Sequence, residues 1–108
     1  MQMRVVDLST AQDALGGLPA SIVSVVLNGF ELDVRRLNRD MLRAAHAGDT
    51  TAYANAAHAL ADAASRLGAT ELALMARDAS RRPVPVADLS LLMAGESAIG
   101  EMRAAFKG

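Results

Sequence analysis

A chain of 108 residues, 52% hydrophobic and with a formal charge of −1, is long enough for one domain around one modest core without a metal or disulfide staple. Its near-neutral charge and the lack of a basic tail exclude the electrostatic footprint of a nucleic-acid binder. The absence of cysteine excludes disulfides and thiol chemistry, and two histidines twelve residues apart lack the spacing of a metal site.

Only Tyr53, Phe30 and Phe106 are aromatic, and the apolar content is largely Ala, Leu, Val and Met, a composition that favours close-packed helices over sheet. No run of eighteen or so apolar residues occurs, and Arg4, Asp7 and Asp13 interrupt the N-terminus, so neither a membrane span nor a signal peptide is expected and the default location is cytoplasmic. A first short helix is predicted over Ser9 to Leu15, started by Asp7 or Ser9 and stopped by Gly16-Gly17. Pro19 suits the first turn of a second helix, in which Val23, Val26, Phe30, Val34, Leu37, Met41 and Ala44 recur at spacings of three and four up to Ala45. Its other face carries Glu31, Arg35, Arg36 and Arg39, read as a solvated face. Gly48 stands where a left-handed residue is wanted, and Asp49 or Thr50 can cap the next helix. His46, in the last turn before that stop, is read as helix-end chemistry.

The third helix, Thr51 to Leu67, places Tyr53, Ala56, Ala57, Leu60, Ala63, Ala64 and Leu67 on one stripe. His58 falls about 160° from Leu60 at 100° per residue, on the opposite face with Thr51, Asn55, Asp62 and Ser65 around it. Ala54 and Ala61 lie one turn away on that side, so the imidazole is expected to protrude above a low, small-residue surface that another protein can approach.

Gly68 ends this helix, and Thr70 starts a fourth running to about Arg82 with Leu72, Met75, Ala76 and Ala79 inward, before Pro83-Val84-Pro85 breaks the pattern. A last helix, roughly Val86 to Phe106, has Leu89, Leu92, Ile99, Met102 and Phe106 as its apolar face, with Gly95 and Gly100 as points of close packing or bending. Short connections favour antiparallel neighbours, so residues 1–108 are expected to form one all-α domain. The expected assembly is an antiparallel up-and-down four-helix bundle with a short extra N-terminal helix. No nucleophile elbow, glycine-rich phosphate loop or converging carboxylate pair is present, which argues against an independent enzyme.

The segment Ala57-His58-Ala59-Leu60-Ala61-Asp62-Ala63-Ala64-Ser65-Arg66-Leu67-Gly68-Ala69 resembles the motif of histidine-containing phosphotransfer (HPt) domains, His-x-Leu-Lys-Gly followed by Gly-Ala. His58 matches the phosphoacceptor, Leu60 the core leucine, and Gly68-Ala69 the later Gly-Ala pair. The long helix with Phe30, the Ala47 to Asp49 turn and the later two helices extend the resemblance over most of the chain. It implies a non-enzymatic phosphocarrier in which His58 takes a phosphoryl group from the aspartate of one receiver domain and returns it to another. Its partners would be receivers of response regulators and a hybrid sensor kinase. Magnesium would be supplied by the receiver, with no cofactor or metal of the domain's own, and a monomer is expected. The docking face would combine Asn55, Ala61, Asp62 and Ser65 with exposed residues of the second helix.

Two departures flank the acceptor: Ala61 stands where the family has lysine, and Asp62 where it has glycine. Ala61 removes a positive charge from the phosphoryl site. At ~6 Å in a water-like dielectric a like unit-charge pair costs roughly 0.7 kcal/mol, so Asp62 disfavours a doubly charged phosphoryl group by about 1 kcal/mol. Asp62 can instead accept a hydrogen bond from one imidazole nitrogen and leave the other free as nucleophile. The alternative to phosphotransfer is therefore a degenerate HPt-like domain that docks a signalling partner without carrying phosphate.

Overall fold

The computed structural model describes residues 8–106, and within them every regular element is a helix. Helix α1 spans Leu8–Leu15, α2 Ala20–Ala47, α3 Thr50–Arg66, α4 Thr70–Ser80 and α5 Leu89–Ala105. Asp7, one of the two expected starts of α1, lies outside the described residues; Ser9 sits inside the helix. Pro19 is the residue before α2, with φ −57° and ψ 149°, and so acts from outside the first turn.

The two tightest turns share one device. Gly48 (φ 67°) and Gly68 (φ 78°) are the positive-φ residues of the described chain. In each turn the following N–H reaches back five residues, Asp49 to the Ala44 carbonyl and Ala69 to that of Ala64, both at 2.9 Å. Left-handed glycine thus satisfies carbonyls that the ending helix leaves open. Asp49 then caps α3, its carboxylate accepting from the Ala52 N–H at 3.0 Å.

Helix α2 packs on α3, α3 on α4, α4 on α5, and α5 back on α2. Alanine supplies 12 of the 25 buried hydrophobic residues of the described chain, and Leu60, Leu72, Met102, Val34 and Tyr53 are the largest fully buried side chains. Alanine lets helix axes approach closely, and each of the large buried groups removes enough apolar surface to contribute about 1.5–3 kcal/mol. Along α2 and α5 a ladder of polar pairs edges this core. Arg103 donates to Asn28 and Glu31, and Arg35 donates to both Glu96 oxygens at 2.9 and 3.1 Å and to Glu31 at 3.2 Å. The arginine face expected to be solvated is therefore partly a seam: Arg35 is held by Glu96, while Arg36 faces Asp33 and Asp40 on its own helix.

Two expectations for the C-terminal half are corrected. Helix α4 stops at Ser80, not Arg82, because a residue before proline is pushed out of the helical region and Pro83 acts on Arg82. Helix α5 starts at Leu89 because Asp88 caps it, accepting from the Leu91 N–H at 3.3 Å, while the Tyr53 hydroxyl holds Val86 outside the helix by donating to its carbonyl at 2.9 Å. The apolar face of α5 is also rotated: Leu91, Ala94, Gly95, Ala98, Ile99 and Met102 are buried, whereas Leu89 and Leu92 are exposed. Close contact sets that rotation. A Cβ on Gly95 would stand 2.8 Å from Asn38 Nδ2 and 2.9 Å from Val34 Cγ1, so α5 meets α2 glycine-first and its early leucines swing outward.

Candidate functional site

Helix α3 carries the site because its inner stripe is fixed so firmly. Tyr53, Ala57, Leu60 and Ala64 are all at most 2% exposed, which anchors the helix's rotation and turns His58 to solvent. The residue is exposed, and its imidazole makes no hydrogen bond or ion pair with any described residue. In particular no bond joins His58 to Asp62, and the tautomer-fixing role considered for that carboxylate is not realised here. Asp62 stands exposed one turn on from His58, with Asn55 exposed one turn before it and Ser65 exposed two turns on.

Ala61 departs from expectation. It is 2% exposed, a core residue and not part of a docking surface. The reason is α4, which packs on α3 and is tied to Ser65, next to Ala61 on the helix wheel, through the Arg77 guanidinium at 2.8 Å. His58 consequently stands on a ridge between two flanks. On one side is α4; on the other is an open groove between α2 and α3 lined by Asp40, Arg43, Asn55 and Ala59 among others.

Two groups on this surface were not singled out from the sequence. Arg77 comes from another helix, and it brings a cation to the His58 face, though about 10 Å along the α3 axis at 1.5 Å per residue. Ile22, Val25 and Leu32 are 46%, 66% and 68% exposed. At 100° per residue they lie within about 80° of one another on the flank of α2 that carries Asp40 and Arg43. Along the helix they precede the groove-lining segment that begins at Leu37, Leu32 by about 7 Å and Ile22 by about 22 Å at 1.5 Å per residue. Their spacing of three and seven was visible in the sequence, but the stronger inward stripe of α2 masked it.

His46 is exposed in the last turn of α2, away from this constellation of α3 residues. Among the described residues no cluster of three or more His, Asp or Glu side chains is arranged to hold a metal ion. No helix among them is long and apolar enough to cross a membrane.

No family model, curated protein or solved structure matches this chain. Its function is therefore read from its own residues.

Proposed function

We propose that this chain is a histidine phosphotransfer domain, with His58 carrying a phosphoryl group between receiver-domain aspartates, in an antiparallel up-and-down four-helix bundle. The observation that carries the reading is an exposed, unpartnered histidine two residues from the fully buried Leu60 and followed by a left-handed Gly68 and a buried Ala69. Support for the bundle direction comes from the α2–α5 pairs: residues 28 and 31 meet 103, while 35 meets 96 and 38 meets 95, so the numbers run oppositely.

In the transfer step a neutral imidazole nitrogen attacks the phosphorus of an aspartyl phosphate in line. The N–P bond forms, the P–O bond to the aspartate breaks, and the carboxylate leaves with its electron pair. The receiver supplies the magnesium ion that offsets phosphoryl charge, and this chain supplies position and access. Return of the phosphoryl group to a second receiver reverses each bond change. The groove beside Asn55 and the apolar strip of Ile22, Val25 and Leu32 would seat the receiver, with a hybrid sensor kinase upstream and the whole relay in the cytoplasm.

The exposed Asp62 favours a second reading, a docking domain that has lost phosphotransfer, because its charge sits one turn from the acceptor. The two readings separate on one experiment. Wild-type protein and His58→Gln are incubated with a panel of phosphorylated receivers, and acid-labile, alkali-stable phosphate is followed. Phosphotransfer predicts label on the wild type that His58→Gln abolishes; binding without label on either protein identifies the docking domain.

A further inference from the structure

Among the charged side chains around His58, one acts on it uncompensated. Asp62 follows it on α3 by one turn, about 6 Å along the axis and about 40° around it, and is exposed. Arg66, exposed a further turn on, makes no ion pair with Asp62, and neither does any other described cation. On the α4 flank the Arg77 guanidinium is engaged by Ser65 at 2.8 Å, two turns beyond His58, and the buried Ala61 adds no charge. Across the groove, Arg43 of α2 lies 4.0 Å from Asp40, so the two largely cancel, and Asp49 caps the start of α3.

No hydrogen bond joins Asp62 to the imidazole, so its carboxylate reaches His58 through charge alone. Its effect then depends on what the ring carries. A neutral imidazole feels little of a carboxylate one turn away. A phosphorylated one brings up to about two negative charges to the same place, and the repulsion then counts in full. Loading His58 moves charge toward Asp62 and unloading moves it away, so the carboxylate weighs on the equilibrium between the two states.

We propose that Asp62 biases the direction of phosphate flow: it makes phosphorylated His58 the better donor, and the phosphoryl group collects on receiver aspartates instead of on this chain. The inference rests on the phosphotransfer reading of His58 and assigns that site a direction. In the favoured step an oxygen of the receiver carboxylate attacks phosphorus, the P–O bond forms and the N–P bond breaks, and its electron pair returns to the imidazole nitrogen. Two unit charges facing a third at ~6 Å in a water-like dielectric shift this equilibrium about fivefold at low salt. At about 1 M salt the Debye length, ~3 Å, is half that separation, and the shift should fall below about twofold.

The full chain is equilibrated with a phosphorylated receiver from the panel used against His58→Gln, in about 50 mM and in about 1 M NaCl. The division of radiolabelled phosphate between the two proteins is measured for the wild type, Asp62→Asn and Asp62→Glu. Asp62→Asn is expected to raise the equilibrium constant for loading His58 about fivefold at low salt and by less than about twofold at high salt. Asp62→Glu, which keeps the charge, should stay with the wild type. The proposal is overturned by equal constants for the wild type and Asp62→Asn, by a gap that high salt leaves unchanged, or by Asp62→Glu moving with Asp62→Asn. In each of those cases His58 is still labelled and the phosphotransfer reading stands. Receivers that bind but label neither the wild type nor Asp62→Asn remove that reading, and this proposal with it.

Discussion

Helices α3 and α5 are the same length, 17 residues each, yet one keeps to its sequence pattern closely and the other does not. In α3 the large apolar residues Tyr53 and Leu60 lie on the same stripe as the small ones, so size and periodicity agree about which side is inward. In α5 they disagree. Leu89 and Leu92 suggest one face, but Gly95 lies close against Val34 and Asn38, and α5 turns it inward together with Leu91, Ala94, Ala98, Ile99 and Met102. In an alanine-rich bundle, then, the closest approach of two backbones sets helix rotation, and bulky residues off that line end up exposed. The two outcomes also differ at the surface: a firmly set α3 turns His58 to solvent, while a rotated α5 leaves a recess.

The contrast is sharpest in the cost of removing leucine from each helix. Leu60→Ala should lose about 2–5 kcal/mol, as expected when a fully buried leucine leaves a cavity. Leu89→Ala, at an exposed position, should change stability by no more than about 0.5 kcal/mol. Chemical denaturation of the two variants checks this, and equal losses would mean that α5 is buried on its leucine face after all. Next in size is the glycine pair of α5. Gly95→Ala should destabilise by about 1–2 kcal/mol, the strain of overpacking against Val34 outweighing alanine's better helix propensity. Gly100→Ala, where an added Cβ meets nothing within 4 Å, should stabilise by up to about 1 kcal/mol. Thermal melts of both variants would expose an error in the rotation of α5 as two shifts of the same sign.

The smallest effect lies in the acid limb. Burial works to raise the Asp88 carboxyl, but the hydrogen bond from Arg82, the Leu91 N–H and the Arg82 charge outweigh it and hold the group below its ordinary 3.8. Glu96 is held below its ordinary 4.5 chiefly by its hydrogen bond from Arg35. Unfolded chains therefore take up these protons first as the pH falls, so the stabilisation is complete above those ordinary values and is lost on acidification below them. Asp88→Asn should flatten the loss below pH 3.8 while costing under about 1 kcal/mol at neutral pH. Urea midpoints measured across that range test it; an acid limb as steep as that of the wild type would show that Asp88 contributes nothing there.

Much of the helical layout was legible because its signals are local. Gly48 followed by Asp49, Gly68 before Thr70, and Pro83 with Pro85 each mark a boundary through the chemistry of one or two residues, and the stripe of α3 is regular enough to predict His58 outward. The features that escaped the sequence depend on a second helix. The burial of Ala61 follows from where α4 lies, and the engagement of Ser65 follows from an arginine twelve residues away. The unpaired amide of Asn38 is set by the approach of Gly95, and the late start of α5 by Tyr53 holding Val86. Asp88 was the exception, a local cap present in the sequence but hidden behind the apolar run from Val84 to Leu92 that suggested an earlier start.

The central claim, that His58 is the working group of this surface, is tested most directly by locating the phosphate itself. Wild-type protein incubated with a phosphorylated receiver is digested under alkaline conditions and its phosphopeptides sequenced by mass spectrometry. Phosphohistidine is expected at position 58 and none at His46. Phosphate on His46, or a receiver that binds the α3 face and leaves His58 unmodified, would contradict the claim.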